Sequence, residues 1–324
     1  MPSQSTTWAN AICRSGGYSS LTRHYRFPDG IEAVLPLFAR KMSIGPVRIN
    51  RSPPAAWGFG GALSTAPLAA PHVRAILDDC AAIPGAAVQI RPNPLLADVW
   101  SEAAHGSGWA GLERRAHVLD LAGGFDEVWN ARFPGRTRTI VRKAEKLGIT
   151  VESGSDDRLI EGFDRLFRLS LRRWAHKQNE YEWLASFRGQ LRDPRHKFLE
   201  MARHAADVMR VFLAKLDGEA IAGIIVLYGH NAHYTRGAMD EQAVGNSGAN
   251  FLLHRHAIRE ACERSCRHYH MGETGASDSL ATFKEKFGAV SIPYAEYRHE
   301  RIPVMSADQK LRAFVKRAIG FRDS

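Results

Sequence analysis

The stretch MRVFLAKLDGEAIAGIIVLYGHNAHYTRGAM, residues 209–239, decides the fold. It falls into three apolar runs, separated by the two-residue turn Asp217-Gly218 and by the loop 229–231. Asp-Gly between apolar runs is a strong short-range hairpin signal, because both turn positions need a positive φ. Three consecutive strands are therefore expected. Before them, DRLIEGFDRLFRLSLRRWAHK (157–177) reads as a long helix with Leu159, Phe163, Leu166 and Phe167 on its apolar face. EWLASFRGQL and KFLEMARHAADV read as two more helical segments. After them, the glycine-rich DEQAVGNSGA (240–249) opens the helix NFLLHRHAIREACERS, and the strand HYHMGE (268–273) follows. Helices, antiparallel hairpins, a central helix and a further strand make an α+β order.

Upstream, PHVRAILDDCAAI reads as a helix with Val73, Ile76 and Leu77 on one side. AAVQIRPNP and RAHVLDLAGG read as strands and FDEVWNARF as a short helix. The segment RTRTIVRKAEKLGI (136–149) is a basic amphipathic helix. Ile140, Ala144 and Leu147 form its apolar stripe, Arg138, Arg142 and Lys146 a charged row, and Gly148 a C-terminal cap. The domain boundary is placed just after it: 1–152, 153–298, and a C-terminal basic helix over 299–324 that returns to the first domain with Leu311, Phe314, Val315 and Ile319 on one side.

At 324 residues the chain is comfortable for two domains. A formal charge of +10 favours an anionic partner, such as RNA, a nucleotide sugar or a phosphorylated cofactor, without specifying a site. The N-terminus lacks the pattern of a signal peptide, and the longest apolar run is about half the ~20 residues of a membrane span. Four cysteines do not make a disulfide framework. A reduced, cytoplasmic protein without integral membrane association is expected.

The order of elements, together with RTRTIVRKAEKLGITVE, AIAGIIVLYGHNAHYTRGA, GNSGANFLLHRHAI and FKEKFGA, resembles the Fem family of tandem-GNAT aminoacyltransferases. The loop AAWGFGG and the strand VQIRPNP are similar to the first domain of such proteins, so the resemblance runs from about residue 30 to about 300. It implies two GNAT-like domains with a cleft between them. It also implies transfer of an amino acid from aminoacyl-tRNA to an amine acceptor, either a peptidoglycan precursor or a natural-product intermediate, with no further cofactor. Acyl-CoA-using GNATs carry a pyrophosphate loop Q/R-x-x-G-x-G/A. Here Gln242-Ala-Val-Gly245-Asn-Ser247 places a serine at the last position. An acyl-CoA-dependent N-acyltransferase is thus the first alternative, and a non-catalytic nucleic-acid-binding protein the second.

In SDSLATFKEKFGA (277–289), Phe283 and Phe287 pack down and leave Lys284 on an adjoining face. The resemblance places Lys284 where the family handles the aminoacyl end, and a sheltered cation would stabilise the oxyanion of ester aminolysis. Glu273, Asp278, His270 and His233 are the candidate bases, with Glu273 and Asp278 taken alongside Lys284 as the catalytic set. Arg136, Arg138, Arg142, Lys143 and Lys146 are the candidate phosphate contacts. Trp57, Phe59, Tyr234, Arg236 and His270 are expected to line the substrate cleft. Cys262 and Cys266, four apart on a helix with His268 and His270 nearby, lack zinc-site spacing, so no metal is expected.

Overall fold

Asp217 and Gly218 adopt φ of 50° and 83° and turn the chain between Met209–Leu216 and Glu219–Leu227, as their dipeptide predicts. The computed structural model describes residues 1–41, 48–54, 57–275 and 277–318. Its elements run α1 (Thr6–Arg14), β1 (Tyr18–Ser20), β2 (Arg23–Arg26), β3 (Glu32–Leu35), β4 (Phe38–Lys41), β5 (Arg48–Ser52) and β6 (Leu63–Ser64). Next come α2 (Ala70–Ala82), β7 (Ala87–Ile90), α3 (Ala97–Ala104), β8 (Ala110–Asp120), α4 (Gly124–Glu127), a π-helical turn (Val128–Arg132) and α5 (Gly135–Lys146). The second half runs β9 (Thr150–Gly154), α6 (Asp157–Lys177), α7 (Glu182–Arg192), α8 (Arg195–His204), β10 (Met209–Leu216), β11 (Glu219–Leu227) and β12 (Ala232–Met239). It ends with α9 (Glu241–Val244), α10 (Ala249–Glu263), β13 (His268–Glu273), α11 (Asp278–Glu285), β14 (Val290–Glu300) and α12 (Val304–Ala318).

Among the described residues, eleven strands join in one sheet of order β1-β4-β5-β7-β14-β8-β13-β12-β11-β10-β9, and β2-β3-β6 form a second. The near-continuous apolar runs of β10 and β11 are explained by burial on both faces. Val211, Leu213, Ile225 and Leu227 join the core of α6 and α8, which also takes in Trp8, Phe38 and Trp57 from the first half. The alternate residues Phe212, Ala214, Ile224 and Val226 join a second core with α5 and α10.

β14 lies between β7 and β8, antiparallel to both, so a strand from the far end of the chain sits among strands of the first half. β8 in turn pairs with β13. Leu119, Phe133, Val141, Ala144 and Ile149 belong to the second half's core, so the expected boundary at residue 152 cuts through one packed unit.

The buried stripe of α5 lies three residues earlier than the expected one. Thr137, Val141 and Ala144 are buried, Ile140 is half-buried and Leu147 is exposed. The cause is the helix end. Gly148 takes φ 79°, and the Ile149 amide donates to Ala144 O, so Ile149 rather than Leu147 packs against the core. In α12, Met305 packs against Ile49 and Ala87, while Phe314 is exposed. Ile319 lies outside the described residues, as do the side chains of Leu311 and Val315.

Candidate active site

Long-range strand pairing builds a polar cluster where the two halves meet. β12 and β13 run parallel and pair at Ala232–Tyr269 and His233–His270. β8 places Arg114 opposite Tyr294 of β14. From the loop after β5, Phe59 packs its ring 5.2 Å from His233, 5.6 Å from His270 and 5.5 Å from Tyr294. Gly58 makes that approach possible: at φ 99°, an added Cβ would lie 2.5 Å from His233 Nδ1. Gly58→Ala is expected to cost roughly 1–3 kcal/mol in thermal unfolding. A variant as stable as the wild type would show that this packing carries no weight.

Both ring nitrogens of His270, Nδ1 of His233 and the Tyr294 hydroxyl are buried without a hydrogen-bond partner among the described residues. Each orphaned group costs about 1–3 kcal/mol, so their convergence marks a place suited to the polar groups of a ligand. Burial, reinforced by the Lys284 and Arg236 charges, pushes the His233 pKa down to about 3. Burial likewise drives His270 well below its ordinary value, and it raises Tyr294. These groups are therefore neutral at physiological pH, and Tyr294 is a hydrogen-bond donor.

Beside them is a network of charges. Glu273 reaches solvent with part of its side chain and lies 3.6 Å from Arg91 and 3.2 Å from Arg114. Glu296 is fully buried, 2.5 Å from Arg91, 2.6 Å from Arg298 and 3.7 Å from Arg114. Burial opposes its ionisation, but the arginines outweigh that penalty and hold its pKa down to about 2.

Lys284, expected on the face adjoining Phe283 and Phe287, is only 1% exposed. Phe287 sets its helix in the core against Phe251 and Phe133. Lys284 Nζ donates to Gly272 O at 3.0 Å, Glu273 O at 2.8 Å and Thr274 Oγ1 at 3.1 Å. Burial pushes its pKa down to about 7, against the pull of the Glu273 carboxylate. Thr274 Oγ1 also lies 2.7 Å from Nδ1 of the buried His117, whose Nε2 is 3.5 Å from the exposed Glu285. A hydrogen-bonded path thus leads from Lys284 to the surface.

Lys284, Glu273, His270 and Phe59 are brought together, and the other expected site residues are placed differently. Asp278 is 95% exposed in the first turn of α11, paired with Arg115 at 3.6 Å, because it follows the N-cap Ser277 on the solvent side. Trp57 is fully buried under Lys197 and Arg236 and is not a cleft wall. Arg236 donates from Nε and Nη2 to the buried Asp193 and from Nη1 to Thr235 O. Tyr234 packs edge-on to His254 at 4.7 Å. On α5, Arg138 donates to Trp129 O, Asn130 O and Phe133 O and so caps the π-helical turn, while Lys143 reaches Asn246 O at 3.3 Å. Arg136, Arg142 and Lys146 are exposed. Cys266 lies beyond the end of α10, off the helical face of Cys262. Among the described residues no three His, Cys, Asp or Glu side chains gather as metal ligands.

The first turn of α10 is closed by the chain itself. Its N-cap Gly248, at φ 82°, packs so tightly on α5 that an added Cβ would lie 2.8 Å from Ile140 Cγ2. The Ala249 amide donates to Ser247 Oγ, and Ala249 is fully buried. The Ala249 amide is therefore not free to donate to a pyrophosphate.

Residues 131–285 match the family described as "Acetyltransferase (GNAT) domain". The structure is similar to the crystal structure of FemX, with a TM-score of 0.67 at 15% identity over 97% of this chain and 94% of that one. It is also similar to a conserved protein of unknown function from Bacteroides thetaiotaomicron, with a TM-score of 0.56 at 11% identity over 90% of this chain and 88% of that one. A third likeness is to the C-terminal DUF2156 domain assigned to a lysylphosphatidylglycerol synthetase of Agrobacterium fabrum, with a TM-score of 0.53 at 12% identity over 98% and 92%. Comparison with curated protein sequences finds no match. No helix among the described residues is long and apolar enough to cross a membrane. Residues 131–285 thus match the GNAT acetyltransferase domain family, and the fold of the chain as a whole is similar to that of FemX.

Proposed function

We propose that the chain transfers an aminoacyl group from aminoacyl-tRNA to an amine acceptor and forms an amide. The observation that carries this reading over acyl-CoA is the start of α10, where the Ala249 amide is taken by Ser247 Oγ and Gly248 is packed tightly against Ile140 of α5. The exposed Arg136, Arg142 and Lys146 on α5 supply phosphate contacts for the tRNA, and the net charge of +10 supports an anionic donor.

The acceptor amine attacks the ester carbonyl, the new C–N bond forms and the ribose oxygen leaves. Negative charge develops on the carbonyl oxygen, where the Tyr294 hydroxyl and a neutral His270 N–H are unused donors. The buried Lys284 charge adds to their effect while fixing the backbone at Gly272 and Glu273. Glu273, the solvent-reaching carboxylate of the cluster, takes the proton released by the amine and returns it to the departing ribose oxygen.

The reading is tested by binding of charged tRNA, deacylated tRNA and acetyl-CoA to the purified protein at one fixed salt concentration. Tighter binding of one charged isoacceptor than of its deacylated form, without acetyl-CoA binding, is the expected result. Arg142→Glu with Lys146→Glu is expected to weaken tRNA binding and to lower the salt slope by about 2. Acetyl-CoA binding without discrimination between charged and deacylated tRNA would overturn the assignment in favour of an acyl-CoA donor.

A further inference from the structure

Helix α7 hides its small residues and shows its large apolar ones. Ala185 and Gly189 are its buried positions, and an added Cβ on Gly189 would lie 2.5 Å from Leu171 of α6. Trp183, Phe187 and Leu191, spaced four apart, are 69%, 56% and 60% exposed. Tyr181, just ahead of the helix, is 66% exposed. At 100° per residue the aromatic stripe lies about 180° from the Ala185–Gly189 face. Among the described residues nothing covers these side chains. A solvated helix would carry polar residues there, and an exposed apolar stripe of this size marks a contact surface.

The charge around the stripe says what covers it. Residues 165–192 contain seven Lys and Arg against two Glu, a net of +5 (7 − 2). Glu180 is buried beneath Arg188 at 2.5 Å, and Glu182 faces His176 at 2.6 Å. On α6, Arg165, Arg168 and Arg172 are exposed on the same side as one another, three and four residues apart. A surface of tryptophan, tyrosine, phenylalanine and leucine bordered by arginines complements an anionic lipid interface. The aromatic rings suit the headgroup boundary, the apolar stripe the acyl chains, and the arginines the lipid phosphates.

We propose that α7, with the arginine row of α6, docks the protein peripherally on anionic phospholipid. α7 lies in the plane of the interface with Trp183, Phe187 and Leu191 inserted. Duplex RNA would engage the arginines but would gain nothing from the leucine and phenylalanine.

The test is co-sedimentation of the whole chain with vesicles of phosphatidylcholine alone or mixed with phosphatidylglycerol. Binding to the mixed vesicles that weakens with salt is expected. Trp183→Ser/Phe187→Ser/Leu191→Ser should lower the partition coefficient by roughly 30-fold or more, with an unchanged melting temperature because all three side chains are exposed. Independently, Arg168→Gln/Arg172→Gln should lower it about fivefold per charge and flatten the salt dependence. No binding to either vesicle, or binding by the triple variant equal to the wild type's, overturns the proposal. So does a wild-type dimer that the triple variant converts to monomer, which would make a second copy the occupant, or loss of tRNA binding in the triple variant.

Discussion

Lys284→Met is expected to lower turnover of the transfer reaction by roughly 10²–10³-fold, while aminoacyl-tRNA affinity stays within about twofold. The methionine keeps the volume of the stem but removes the charge and the donors to Gly272 O, Glu273 O and Thr274 Oγ1. The pH dependence separates this role from a merely structural one. With a pKa of about 7, the Lys284 ammonium is lost as pH rises through neutrality, so the wild-type rate should fall across that range and the variant's should not. A rate that rises through pH 7 would assign Lys284 the part of a base instead. Stability moves the other way. The unfolded chain holds this proton up to its ordinary value of 10.5, so between pH 7 and 10.5 the unfolded state binds more protons and folding gains as pH rises. Denaturant titrations should show that gain in the wild type and its absence in Lys284→Met.

The largest loss of stability is expected from Glu296→Gln, about 3–5 kcal/mol by chemical denaturation. The carboxylate is fully buried, and its removal leaves Arg298 without a carboxylate partner and Arg91 and Arg114 with the partly solvated Glu273 alone. Because Glu296 has its folded pKa held at about 2 against an ordinary 4.5, its contribution is complete above 4.5 and disappears as pH falls towards 2. That amounts to about 3 kcal/mol of acid sensitivity. Glu296→Gln should lack this component, and an unaltered acid transition in the variant would show that the arginines are neutralised elsewhere.

The hairpin at Asp217-Gly218, the long helix α6 and the strand β13 were legible because turn chemistry and apolar period are local properties. Lys284 was legible as a residue of interest, but its burial was not. A helical period places Phe283 and Phe287 on one face, yet Phe283 is only partly buried, and the helix is seated so that Lys284 points in. Arg91, Arg114, Tyr294 and Glu296 gave no signal along the chain. They meet only because β14 pairs with β7 and β8, joining residues about 180 positions apart in the Arg114–Tyr294 pair. The sole cue was the alternation of VSIPYAEYRHE, which puts Tyr294 and Glu296 on one side of a strand. Arg138 misled for the opposite reason. A basic row on a helix reads as a binding face, whereas this arginine is spent on three carbonyls of the preceding turn.

The position of β14 also bears on how the molecule is made. During synthesis β7 and β8 emerge from the ribosome long before the strand that lies between them, so each keeps an open edge until residues 290–300 have been translated. The first half therefore cannot complete its sheet as an independent folding unit. A nascent chain arrested short of Val290 would expose two unpaired strand edges and be prone to association, whereas release of the full chain closes both edges in a single insertion.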